Sequence, residues 1–297
     1  MLERGVDRWA EWLAQRRHGG DPEQLQRALQ LLAPVRDQVI SHADLAPGQA
    51  VLDVGCGDGL VAFAAADVVG PLGSVIFSDI SADLLDRCQQ LARELGVNGR
   101  CRFVQAPASD LSALDDNSVD AVTLRSVLIY EPRKSAAFAE FHRVLRPGGR
   151  LSLFEPINRF GHPPPAHLLG GYDAGPVTDL AMKVKAVFEA RQPPSTDPML
   201  DFDERDLLRW AEESGFAQIH LQLRADVQPT ETIPFQTWLG SSGNPRIPTM
   251  AEAMQQCLTR DETQRLCARL KPQVEHGDGQ QRRAVAYLWA TKGDRDY

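Results

Sequence analysis

Val51-Leu52-Asp53-Val54-Gly55-Cys56-Gly57-Asp58-Gly59 decides the fold of this 297-residue chain. Val51, Leu52 and Val54 read as a buried strand, Asp53 sets an acid near its end, and three glycines at alternate positions make the turn that follows. Lacking Cβ atoms, such a turn exposes bare backbone on which a nucleotide-like ligand can lie. Leu60 to Val69 is apolar enough to be the helix that begins at the turn and packs behind it. Gly73-Ser74-Val75-Ile76-Phe77-Ser78 supplies a second strand. Asp79 follows it, where a carboxylate can accept from both hydroxyls of a ribose. The two signals together outweigh either alone.

A dinucleotide fingerprint requires Gly-x-Gly-x-x-Gly, with its third glycine one place later than Gly59, so a nicotinamide dehydrogenase is the weaker reading. Downstream, Ser81 to Leu95 repeats apolar residues at helical spacing, and Arg102-Phe103-Val104-Gln105 reads as a third strand. Asn117-Ser118-Val119-Asp120 leads into Ala121 to Tyr130, a fourth strand and its exit. Arg143-Val144-Leu145-Arg146-Pro147-Gly148-Gly149-Arg150-Leu151 ends a helix and turns into a fifth strand, Leu151 to Pro156. Strands and helices alternate as in a doubly wound α/β domain.

Asp53-x-Gly55-x-Gly57-x-Gly59 resembles the first motif of the class I S-adenosylmethionine-dependent methyltransferases, and the Pro-Gly-Gly turn before strand five resembles theirs as well. The resemblance covers about Leu31 to Pro156. It implies a Rossmann-like methyltransferase sheet, S-adenosyl-L-methionine as cofactor, S-adenosyl-L-homocysteine as product, and methyl transfer to an organic small molecule by in-line displacement. In this family Gly55, Gly57 and Gly59 would pack against the amino-acid portion and ribose, and Asp53 would organise the ammonium end. Asp79 would take the ribose and Ile80 the adenine. Ala108, through its backbone, and Asp110 would border the adenine ring, although family members often have Gly-Asp-Ala where this chain has Ala106-Pro107-Ala108. Pro107 offers neither a carboxylate nor an N–H there. Arg125, at the end of strand four, would anchor the cofactor carboxylate or orient an acceptor, unless its guanidinium points outward.

The length allows one catalytic domain with additions. The expected division is a helical N-terminal extension at 1–33, a cofactor-binding core at 34–156, and a lid insertion at 157–200. A core continuation follows at 201–224, then a second cap or helical insertion at 225–280 and a terminal core strand and tail at 281–297. The extension should hold helices over Val6 to Arg17 and Pro22 to Ala33, with Leu25 and Leu29 on an apolar face, and Pro34 to Leu45 should form another. Arg36 on that helix would reach the cofactor carboxylate or make a surface salt bridge. Asp203-Glu204-Arg205-Asp206 reads as a helix start with reciprocal capping, not as a metal site.

Acceptor-side candidates are Tyr130 and Glu155 at strand ends and His162, His167 and Tyr172 in the lid, any of the last three a candidate base for a hydroxyl acceptor. No catalytic residue is assigned, because a sulfonium methyl is already activated. His142 should fall on the far side of the sheet. The second insertion would serve as more of the acceptor cap or as a homodimer contact, and periodicity does not choose. The formal charge of −8 with dispersed basic residues argues against a nucleic-acid partner. Five cysteines, odd in number and widely spaced, fit neither a disulfide framework nor a metal site. They also disfavour an arsenite methyltransferase. With no signal-like start or membrane-spanning run, a cytoplasmic protein is expected. The alternative from a different class is a cofactor-binding scaffold or regulatory protein without transfer activity.

Overall fold

The computed structural model describes residues 7–17, 19 and 21–293, with residues 22, 25 and 29 described by backbone alone. The expected helix start at Val6, the side chains of Leu25 and Leu29, and residues 294–297 of the terminal segment lie outside the described residues. In chain order the strands are β1 (Ala50–Val54), β2 (Ser74–Asp79), β3 (Cys101–Gln105), β4 (Val119–Arg125), β5 (Leu145–Pro156), β6 (Leu168–Leu169), β7 (Tyr172–Asp173), β8 (Phe216–Pro229) and β9 (Gln280–Lys292). The helices are α1 (Arg8–Glu11), α2 (Pro22–Ala43), α3 (Leu60–Val69), α4 (Ala82–Glu94), α5 (Lys134–Val144), α6 (Thr178–Arg191), α7 (Glu204–Glu213), α8 (Phe235–Gly240), α9 (Met250–Cys257) and α10 (Arg260–His276).

The chain forms two compact units. The sheet unit takes Leu29–Ile157, Phe202–Arg224 and Val285–Tyr297, and the insert unit takes Met1–Ala28, Asn158–Asp201 and Ala225–Ala284. The main sheet has the order β3-β2-β1-β4-β5-β9-β8, a Rossmann-like α/β arrangement. β1 to β5 are parallel and β9 runs antiparallel to β5. β1 is central, between β2 and β4, and the chain departs from it in one direction and returns on the other side. Its carboxyl end is therefore the switch point where α/β sheets leave a crevice for ligands. Val51, Leu52 and Val54 are almost wholly buried, as expected of a parallel strand covered on both faces. α3 buries Val61, Ala62, Ala65, Ala66 and Val69. Phe77 of β2 packs at 5.0 Å from both Phe63 and Phe103.

Several expected boundaries shift for local reasons. Pro34 does not start a helix but lies inside the single helix α2. A proline there costs the hydrogen bond to the Gln30 carbonyl, but Pro34 is exposed, where water can serve that carbonyl. Pro147-Gly148-Gly149 does not separate helix from strand as a free turn; it lies within β5, which pairs with β4 across a register shift between Val119 and Ala121. β8 begins within the expected core continuation at Phe216 and runs past its end to Pro229. α7 has the expected capping box, Asp203 accepting from the Asp206 amide and Asp206 from the Asp203 amide.

The insert unit has its own core. Tyr172 of the small β6–β7 hairpin meets Trp238 of α8 edge-on at 5.8 Å, and Leu180, Val184, Met254, Leu266 and Leu270 close around them. Thr249 with Glu252 and Thr259 with Glu262 form capping boxes that start α9 and α10. Thus 225–280, which periodicity left between a cap and a dimer contact, folds with 158–201 around one set of buried side chains.

Candidate active site at the carboxyl end of the sheet

Asp53 is buried at 2% exposure, and its Oδ1 accepts from the Thr123 hydroxyl of the neighbouring β4 at 2.8 Å. Burial pushes this carboxyl up to about 7; the Thr123 hydrogen bond, the Arg125 charge and the Ala62 amide oppose the rise, and the Asp79 charge adds to it. The chain then turns through Gly55 at φ +61°, where an added Cβ would lie 2.5 Å from a Val127 methyl. Only glycine satisfies both the backbone angle and that close approach. Cys56 N donates to Ser78 O at 2.9 Å and Gly59 N to Cys56 O at 2.8 Å, so the loop is fastened to β2 and to itself.

Asp79 is the second fastening. Its Oδ2 accepts from Gly57 N and its Oδ1 from Ser81 N, each at 2.9 Å. One carboxylate therefore joins the glycine loop to the start of α4, whose N-cap is Ser81. Each carboxylate oxygen offers two acceptor directions. The next residue, Ile80, is 47% exposed, a large apolar side chain directly after a buried acid. Its backbone is held by Gln105 Nε2, which donates to Ile80 O at 3.0 Å, while Ala106 N donates to Asp79 O at 3.0 Å. Ala108 is buried and Asp110 exposed after β3. Asp110 Oδ1 accepts from Ser112 N, and hydrogen bonds from the Ser112 hydroxyl and then its amide hold the carboxyl below the usual range.

Arg125 stands half-buried at the end of β4, its charge felt by Asp53. Arg36 pairs with Asp37 at 2.7 Å and lines a cavity of about 490 Å³ that also includes Asp58, Gly59 and Phe63. Tyr130 is half-buried in the turn after β4. Glu155 is wholly buried: Oε1 accepts from Val127 N at 2.8 Å and Leu128 N at 2.9 Å, and Oε2 from Ile129 N at 3.2 Å. Burial raises it to about 7 against the pull of those amides and of Lys134. Its carboxylate holds the 127–129 turn. His162, His167 and Tyr172 belong to the insert unit. His162 is half-buried and His167 exposed, whereas Tyr172 is a core side chain at 2% exposure. His142 on α5 packs edge-on against Phe216.

The structure therefore gathers Asp53, the three glycines, Asp79, Ile80 and Arg125 at adjoining strand ends. Sequence reasoning passed over Thr123, which holds Asp53, and Val127, which covers Gly55. The only signal for Thr123 was a hydroxyl within an otherwise apolar strand. Among the described residues, no group of three or more His, Cys, Asp or Glu is placed to hold a metal ion. No helix among them is long and apolar enough to cross a membrane.

Residues 52–153 match the family model described as a methyltransferase domain. A ubiquinone/menaquinone biosynthesis C-methyltransferase of Pseudomonas savastanoi is 37% identical over 127 residues, covering 43% of this chain and 48% of the relative. An arsenite methyltransferase of Halobacterium salinarum is 35% identical over 181 residues, 56% of this chain and 45% of the relative. The chain spans about half the length of the curated relatives it matches. Solved structures share the fold: YcgJ of Bacillus subtilis at TM-score 0.53 and 17% identity, covering 88% of this chain and 98% of that one. A geranyl diphosphate methyltransferase solved with S-adenosylmethionine aligns at 0.52 and 20%, over 92% and 93%. The [4+2]-cyclase SpnF aligns at 0.50 and 21%, over 89% and 82%.

Through residues 52–153, which match the methyltransferase-domain model, the chain is similar to class I S-adenosylmethionine-dependent methyltransferases. The donor set fits the family's cofactor: a buried acid for an ammonium at Asp53, an acceptor for ribose hydroxyls at Asp79, and an exposed apolar side chain for a base at Ile80.

Proposed function

We propose that the protein transfers a methyl group from S-adenosyl-L-methionine to an organic small molecule and releases S-adenosyl-L-homocysteine. The observation that carries this reading is the pair of buried acids, Asp53 and Asp79, held on either side of the Gly55–Gly59 turn. A cyclase shares the fold, so the reading rests on these residues and on the matched domain, not on architecture. When bound, the donor supplies a methyl group already activated on a positively charged sulfur.

The chain's own contribution is binding and alignment. Asp53 holds an ammonium near Arg125, which takes the adjacent carboxylate. Asp79 keeps the glycine loop closed on α4 and accepts from the ribose, and Ile80 covers the adenine with Ala108 and Asp110 beyond it. Tyr130 remains the acceptor-wall candidate within the sheet unit, and His162 and His167 those of the insert unit. An organic acceptor is favoured over arsenite because Cys56 is buried within the glycine loop and Cys88 is buried in the core behind it. A nucleic-acid acceptor is disfavoured by the charge of −8. Among partners, a homodimer is the assembly we propose to test, by light scattering.

The test is transfer of an isotopically labelled methyl group from the donor to a panel of quinone precursors, isoprenoid alcohols and phenols. Labelled product from any of them supports the assignment. Donor binding with no transfer across the panel would favour a scaffold without catalytic activity.

A further inference from the structure

Four arginines line one cavity of about 290 Å³ in the insert unit. Arg8 lies on α1, Arg16 on the π-helical turn after it, Arg191 at the end of α6, and Arg246 in the loop before α9. The pocket is built by bonds between these segments. Trp12 Nε1 donates to Ser242 O and Ser242 N to Arg16 O, both at 3.0 Å, and Arg16 Nη2 reaches Glu252 Oε2 at 2.5 Å. Glu252 is itself fixed, since the same oxygen accepts from Thr249 N in the capping box of α9.

Arg16 is therefore matched by Glu252, and Glu11 is the only other acid on the cavity wall. Four cations face two acids. Among the described residues, Arg8, Arg191 and Arg246 make no ion pair. Guanidinium groups gathered in a concave site repel one another until an anion joins them, and their forked donors suit a carboxylate or phosphate. This local excess of positive charge lies in a chain whose formal charge is −8.

Trp12 and Ile247 give the same pocket an apolar side. A shallow, mainly apolar groove of about 520 Å³ adjoins it, sharing Arg191 and Gln256 and running along Val187 and Ala190 to Cys257. A cationic end continuous with an apolar trough is the shape of a site for an amphipathic anion.

We propose that this pocket is a second ligand site, for a small organic anion whose carboxylate or phosphate head is held by Arg8, Arg191 and Arg246 and whose apolar portion follows the groove toward Cys257. The site stands within the insert unit and is independent of methyl-donor binding.

Calorimetric titration of the full chain with octanoate, octyl phosphate, inorganic phosphate and octyltrimethylammonium tests it. Saturable binding of octanoate or octyl phosphate with unit stoichiometry is expected, weaker binding of inorganic phosphate, and none of the cation. The two amphiphiles distinguish a carboxylate from a phosphate head. The double variant Arg191→Glu/Arg246→Glu, altered at two exposed positions, should lose affinity by about tenfold to a hundredfold. Arg205→Glu, on α7 of the sheet unit, should lose none. In the wild-type protein the bound amphiphile should slow alkylation of Cys257 more than of Cys267, read by mass spectrometry, which keeps the test independent of how the variants fold. No saturable binding of any of the three anions, undiminished binding in the double variant, or equal binding of inorganic phosphate and octyl phosphate would overturn the proposal.

Discussion

Replacing Glu155 by glutamine tests the tie between strand five and the turn that covers the glycine loop. The carboxylate serves three backbone amides, Val127, Leu128 and Ile129. A glutamine carbonyl can accept from the two that share Oε1, but its NH2 then faces the Ile129 amide, a donor against a donor. An unsatisfied buried donor costs about 1–3 kcal/mol. Superimposed on that loss is a pH dependence. Glu155 is raised from 4.5 to about 7, so its contribution is full below pH 4.5 and falls as pH rises through about 7, where the buried group must ionise. At 1.36 kcal/mol per unit, the fall amounts to about 3 kcal/mol. Urea unfolding of both proteins at pH 5 and pH 8 is the assay. Glu155→Gln should be the less stable at pH 5, and the gap should close or reverse at pH 8, because glutamine has no charge to bury. A gap that widens with pH would mean instead that the three amides outweigh burial and that the ionised form is the stabilising one, the opposite of the raised pKa.

Asp79→Ala should weaken donor binding by about 1.5–3 kcal/mol, the range for a charge-assisted acceptor. Some folding stability should go with it, because Gly57 N and Ser81 N lose their partner; calorimetry well below the melting temperature separates the two effects. Asp53, raised to about 7, must be ionised to hold an ammonium, so affinity for S-adenosylmethionine should climb by up to about tenfold per pH unit below 7. Asp53→Asn should flatten that profile in the same titration. Gly55→Ala forces a Cβ to 2.5 Å from Val127 at a positive φ, whereas Gly96→Ala, at φ +71°, meets nothing within 4 Å. The second should cost about 1–2 kcal/mol from the backbone alone, and the first more, with loss of donor affinity, as read by thermal melts and binding.

The strand-end acids show what a sequence of this kind discloses. Asp53 and Asp79 were legible because each stands at the end of an apolar run, Asp53 beside a glycine turn, so strand direction alone carries them to the carboxyl edge. Glu155 has the same local pattern but turns to backbone amides more than 25 residues earlier in the chain, and no spacing rule announces that partner. Tyr172, in a glycine-flanked hairpin, reads like an exposed loop aromatic, yet Trp238, 66 positions on, buries it. Pro34 reads as a boundary because the sequence does not reveal that solvent can take over its missing hydrogen bond. The arginines at 8, 16, 191 and 246 share no motif. Only the packing of α1, α6 and α9 within the insert unit makes them neighbours.

The proposed reaction requires that the Asp53–Gly59 turn and Asp79 bind a methyl donor. Isothermal calorimetry of S-adenosylmethionine and S-adenosylhomocysteine with the purified, cofactor-stripped protein tests it most directly. Micromolar or tighter binding of both is expected, at unit stoichiometry and weakened by Asp79→Ala. Folded protein that takes up neither ligand would contradict it.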